Sequence, residues 1–97
     1  MTQIWKFPLK WDHGWQTVEA PAFAHVLTVG EQQGTLCVWM RVSTHTPVLA
    51  QRFFVAFTGA DLPNEVDFGD AELIGRAEGH GLVVHVFAER GRRRIGK

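Results

Sequence analysis

This chain of 97 residues has a single cysteine, Cys37, a single serine, Ser43, no tyrosine and no net formal charge. One thiol excludes an internal disulfide, so nothing points to an oxidising compartment. No apolar run approaches the roughly 18 residues of a membrane-spanning helix. Met1-Thr2-Gln3 leads straight into patterned sequence, without the basic and continuous apolar regions of a secretion leader. The expectation is a soluble, cytoplasmic protein with no membrane partner. Patterns that mark metal or nucleophile chemistry are missing as well. His13, His25, His45, His80 and His85 form neither HExxH nor His-x-His, and Cys37 has no CxxC partner. Cys37 sits inside an apolar strand pattern, where a buried thiol is inert, so it reads as packing. His85, flanked by valines, reads as a hydrogen-bonded core residue. Asp67-Phe68-Gly69 matches a kinase tripeptide, but every other kinase part is missing. No catalytic residue, metal ligand or cofactor is expected, and the chain is read as not an enzyme.

Core material is plentiful: 45% of the residues are hydrophobic, with four Trp and seven Phe. A chain of this length buries about 60–65% of its unfolded surface and supports one core. The apolar period is two rather than 3.6. Trp5, Phe7, Leu9 and Trp11 alternate with Lys6, Pro8 and Lys10, and Pro8 places that strand at a sheet edge or a bulge. A second strand is expected near 16–20, stopped by Pro21. Runs 25–29 and 35–43 form a hairpin across Gly30-Glu31-Gln32-Gln33-Gly34. A fifth strand spans 51–58. The Asp-, Asn-, Pro- and Gly-rich stretch 60–70 is irregular, with room for one helical turn. Runs 71–77 and 81–89 close the pattern across Glu78-Gly79-His80. The last run, Leu82-Val83-Val84-His85-Val86-Phe87, is apolar on both faces apart from His85, so both faces need cover. These features predict an all-β domain over 1–90, a small antiparallel barrel or sandwich of six to seven strands with at most one short helical turn. Val38, Phe53, Val55, Val84 and Val86 are expected in its core.

The zero net charge conceals a division. All ten acidic residues lie at or before Glu89, against Lys6, Lys10, Arg41, Arg52 and Arg76, while Arg90, Arg92, Arg93, Arg94 and Lys97 crowd the end. Residues 91–97 read as a basic, disordered tail, the expected route for any nucleic-acid contact. Within the body, Asp61, Glu65, Asp67 and Asp70 cluster on the long loop without calcium-loop spacing and read as an acidic face for a basic partner. Arg41, on the face of Trp39, and Arg52, on the face of Phe54, are the alternative ligand site, in which guanidinium groups beside an aromatic ring hold an anion.

Ile4-Trp5-Lys6-Phe7-Pro8-Leu9, the segment Val29-Gly30-Glu31-Gln32-Gln33-Gly34 followed by Leu36-Cys37-Val38-Trp39, then Arg52-Phe53, Thr58-Gly59, Ile74-Gly75 and Leu82-Val83-Val84-His85-Val86-Phe87 together resemble a family of small uncharacterised proteins of bacteriophages and prophages. The resemblance implies a phage accessory protein in the cytoplasm of a bacterial host and lends no catalytic residues. The leading expectation is a non-enzymatic protein that binds and blocks a host protein, such as a component of CRISPR defence. The alternatives are a binder that sequesters an anionic or nucleotide signal and a hydrolase without a recognisable motif. Monomer and homodimer both stay open.

Overall fold

A computed structural model describes residues 1–67 and 69–90. The chain folds as β1 (Thr2–Leu9), β2 (Gly14–Pro21), β3 (His25–Gln32), β4 (Thr35–Ser43), β5 (Val48–Phe57), the single-turn α1 (Asn64–Asp67), β6 (Ala71–Gly79) and β7 (Leu82–Glu89). All neighbouring strands pair antiparallel, in a three-stranded sheet of order β1-β4-β3 and a four-stranded sheet of order β2-β5-β7-β6. The all-β expectation holds, as a seven-stranded sandwich. The expected basic tail, 91–97, lies outside the described residues.

Strict alternation puts one face of each sheet inside. Phe7, Leu9, Leu36, Val38, Met40 and Val42 meet Ala20, Phe53, Val55, Ala77, Val84 and Val86, and Val38, Phe53, Val55, Val84 and Val86 are fully buried. Pro8 lies opposite Cys37 on the edge strand β1, where its missing donor costs no ladder bond in the sheet interior. The two hairpins turn more tightly than the glycine spacing suggests. Gln33-Gly34 and His80-Gly81 each have positive φ at both residues, the signature of a type I′ turn, whose twist matches that of the flanking strands.

The two ends of the sandwich differ. One end is plugged by Trp11, which leaves the alternation of β1 and turns across the opening. Its indole Nε1 donates to the Gly34 carbonyl at 2.9 Å, and its ring sits 5.6 Å from that of His80, whose Nε2 lies 2.8 Å from the same carbonyl. The corner from β1 to β2 is closed by Gln16, which accepts from the Lys10 N–H at 2.7 Å and donates to the carbonyls of Lys10 and Asp12. At the other end β3 is bulged between Val26 and Thr28, and β6 between Leu73 and Gly75. These two strands pack side by side without pairing, and a bulge bends its strand away from a regular ladder, so the mouth between the sheets stays open.

Residues 58–70 are long for a geometric reason. β5 and β6 both pair with β7, so they run parallel to each other, and the chain must travel back the length of a strand between them. It does so as a strap over the outer face of the four-stranded sheet. Val66 of α1 is the buried rivet, packed with Phe54, Ala56 and Ala71 and flanked by Trp15 and Phe87. The two-faced strand β7 is therefore covered on its outer side at Phe87, while Val83 beyond the strap is 36% exposed. His85 differs from expectation: it faces outward between Ala56 and Arg76, half-buried, because its register puts it on the face opposite Val84 and Val86.

Candidate functional site

Asp61, Glu65, Asp67 and Asp70 are all exposed along the strap. Their backbone is fixed: Val66 is buried beneath them, the Asp70 N–H donates to the Glu65 carbonyl at 3.0 Å, and the Arg90 N–H donates to the Asp70 carbonyl at 2.9 Å. The acidic residues thus sit on an anchored crossover rather than a free loop. Glu19 of β2 and Glu78 of β6 lie exposed on the same outer face of the sheet, where Glu78 is paired with Arg76.

Arg41, Arg52 and Trp39 do not converge. Arg52 faces outward on the four-stranded sheet, where its Nη2 and Nε donate to Glu89 Oε2 at 2.9 and 3.2 Å and its guanidinium lies 4.0 Å above the Trp15 ring. This is a cation–π contact, and its ring comes from the neighbouring strand β2. Trp15 in turn meets Phe54 edge-on at 5.3 Å, and Phe54 meets His13 at 5.1 Å, so Arg52 ends an aromatic row along the outer face. His13 is structural too: its Nδ1 accepts from the Phe57 N–H at 3.0 Å. Arg41 and Trp39 face outward on the three-stranded sheet, on the other side of the core. The register explains the separation, which a linear reading of β4 and β5 does not reveal.

The open end holds a cleft of about 600 Å³ between β3 and β6, with His25, Leu27, Gln51, Glu72, Leu73 and Glu89 on its walls. Gln51 is buried, and its Nε2 donates to the carbonyls of Arg52 and Glu89. Glu89 is engaged by Arg52, and among the described residues no hydrogen bond joins His25 to Glu72. The rim is apolar. Leu27 is 47% and Leu73 54% exposed, Val48 stands at the same end, and Phe23, in the turn leading into the cleft, is 83% exposed. Phe23 also has φ of 65°, a left-handed conformation that is unfavourable for a bulky side chain. The turn is held there by the Ala22 N–H donating to the Pro47 carbonyl at 2.7 Å and by Thr46 Oγ1 donating to the Ala22 carbonyl at 3.0 Å. Sequence reasoning missed this end, because a bulge leaves no period of its own and Phe23 reads only as a gap between strands.

Cys37 is 1% exposed, consistent with packing. Among the described residues no three His, Cys, Asp or Glu side chains group as a metal-ligand set, and no helix is long and apolar enough to cross a membrane. A second cleft, of about 410 Å³, follows the β1–β2 corner, and the amide of Gln16 on its wall is taken up by backbone. No curated protein and no solved structure matches the chain. A family model described as a domain of unknown function (DUF7352) matches residues 1–96, and the chain belongs to that family.

Proposed function

We propose that this protein is a non-enzymatic binding module that engages a protein partner through the open end of its sandwich. Phe23 is the apolar anchor, Leu27 and Leu73 form the wall it stands beside, and the acidic strap residues near that end, Asp67 and Asp70, form part of a charged rim. The observation that carries this reading is Phe23, a large aromatic side chain almost fully in solvent and fixed in an unfavourable backbone conformation by neighbouring hydrogen bonds. Exposed apolar groups gathered beside a cleft mark interaction surfaces, and fixed aromatic anchors inside a polar rim supply most of the energy of typical interfaces. Strain at such a position persists when the surrounding structure over-determines it, and it clusters at functional sites.

The resemblance to phage proteins supports reading the partner as a bacterial host protein met in the cytoplasm, and blocking a defence component as the role of a module of this size. Sequestration of a small anion has weaker support, since Arg52 is committed to Glu89 and Trp15 and stands on the far side of the core from Arg41. The test is affinity capture from bacterial lysate with wild-type protein, Phe23→Asp, and the charge-reversed strap Asp67→Lys/Asp70→Lys. The expected result is a protein retained by the wild type, lost with Phe23→Asp and weakened by the strap reversal. Retention of the same proteins by wild type and Phe23→Asp, with both folded, removes the open end from the interface.

A further inference from the structure

The outer face of the three-stranded sheet is uncovered by any other described element, and its composition is unlike that of the rest of the body. Register places Ile4, Lys6 and Pro8 of β1, Cys37, Trp39 and Arg41 of β4, and His25, Thr28 and Gln32 of β3 on this face. Trp39 lies at its centre, with Lys6 directly across on one side and Thr28 on the other. Cross-strand partners of this kind stand about 5 Å apart at Cβ, and Arg41, two residues along the same strand, about 7 Å away. Glycine at position 30 leaves room beside the indole: a Cβ there would lie 3.6 Å from Trp39 Cζ3. The ring therefore extends across the sheet over Gly30, half-buried, with Lys6 and Arg41 exposed around it. Lys6 is steadied by donating to Gln32 Oε1 at 2.7 Å, a bond that passes diagonally over the row containing the buried Cys37.

Among the described residues this face carries no carboxylate. The acidic side chains lie elsewhere: Asp12 at the β1–β2 corner, Glu19, Glu78 and the strap on the outer face of the other sheet, Glu72 and Glu89 at the cleft, Glu31 at the hairpin turn with its Oε2 accepting from the Gly34 N–H at 2.5 Å. A molecule of zero net charge thus presents one positive face with an aromatic ring at its centre. Its potential favours an anion, and the ring favours a planar group within a few ångströms of that anion. A single-stranded nucleic acid alternates these two groups, base and phosphate, and non-specific binders of single strands pair an aromatic platform with flanking cations. An acidic peptide would satisfy Lys6 and Arg41 but offer Trp39 no planar partner. A duplex hides the faces of its bases.

We propose that the outer face of the three-stranded sheet binds a segment of single-stranded nucleic acid, one base stacked on Trp39 and the adjoining phosphates held by Lys6 and Arg41. The site opens onto the outer face rather than into the open-end cleft, with His25 opposite Arg41 at the border of the two, and it does not depend on the cleft.

The test is fluorescence anisotropy of a labelled oligothymidylate with the full chain at several salt concentrations. Trp39→Leu is expected to weaken binding about tenfold with little change in salt dependence, because it removes stacking alone. Lys6→Gln/Arg41→Gln is expected to weaken it at least as much at low salt and to flatten the salt dependence by about 1.4 in log–log slope, the loss of two phosphate contacts on a single strand. Thr28→Glu, at an exposed position beside Trp39, places a carboxylate on the face without touching the core, and a loss of binding there is expected even if Trp39→Leu fails to fold. A duplex of matched length should compete poorly. Full binding by Thr28→Glu together with loss of binding by Arg92→Gln/Arg93→Gln/Arg94→Gln would move the contact to the basic terminus and overturn the proposal. Binding of polyglutamate with no binding of the oligonucleotide would overturn it in favour of an acidic protein.

Discussion

The indole of Trp11 fills the space that a side chain at Gly79 would need: a Cβ built on Gly79 lies 2.6 Å from Trp11 Cζ2 and 2.7 Å from Cη2. Trp11 cannot easily retreat, because its Nε1 is bonded to the Gly34 carbonyl in the neighbouring hairpin. Gly79→Ala therefore displaces the plug that closes this end of the sandwich. The expected cost is about 1–3 kcal/mol, in line with other overpacking changes. Urea denaturation measures it, and an unchanged midpoint would mean that Trp11 does not hold this position in solution.

Among the described residues of the crossover strap, Val66 is the buried one. Val66→Ala removes two methyl groups from a site shared with Phe54, Ala56 and Ala71 and leaves a cavity beside the half-buried rings of Trp15 and Phe87. The expected cost is about 1–3 kcal/mol. Amide exchange should show the loss locally: residues 60–70 lose protection in Val66→Ala, while Val84 and Val86 exchange by global unfolding as before. Uniform loss across the whole chain would mean that the strap unfolds only with the core.

Much of this arrangement was legible in the sequence, and the parts that were not have physical reasons. Alternation assigned Phe53, Val55, Val84 and Val86 to the core correctly, because a period of two leaves one choice of face once a strand is recognised. The single helical turn appeared within the stretch where Asp, Asn and Pro were concentrated. Trp11 fitted the pattern of β1 but lies beyond its end at Leu9, since alternation does not say where a strand stops. The separation of Arg41 from Arg52 and the stacking of Arg52 on Trp15 are consequences of strand order, and strand order is long-range information that no local spacing carries. The bulges that follow Val26 and Leu73, which open the cleft, are equally silent.

Arg52 and Glu89 make a partly buried pair, with the Glu89 side chain only 9% exposed. Arg52→Met removes the two bonds that Arg52 donates to Glu89 Oε2, whereas Arg52→Met/Glu89→Gln removes the charge of the acceptor as well. The single change should cost about 1–3 kcal/mol and the double change less, because losing a charged donor penalises a carboxylate in a largely buried place more than it penalises a neutral amide. A double-mutant cycle by chemical denaturation checks this. Additive losses would show that the two side chains act independently.

Phe23 links stability to binding in opposite directions. Its φ of 65° is tolerated better by asparagine than by a bulky aromatic residue, and at 83% exposure its ring gives little packing in return. Phe23→Asn should therefore stabilise the free protein, by about 0.5–1 kcal/mol, or roughly 2–8 °C in Tm for a domain of this size. The same change removes the apolar anchor at the open end, so it should weaken capture of the protein partner. Thermal unfolding and the capture assay on one preparation test both halves. A stabilised variant that still binds fully would show that the strained turn serves something other than the interface. A destabilised variant would show that Phe23 packs against Val48 or Leu27 in solution, and that its exposure is not held ready for a partner.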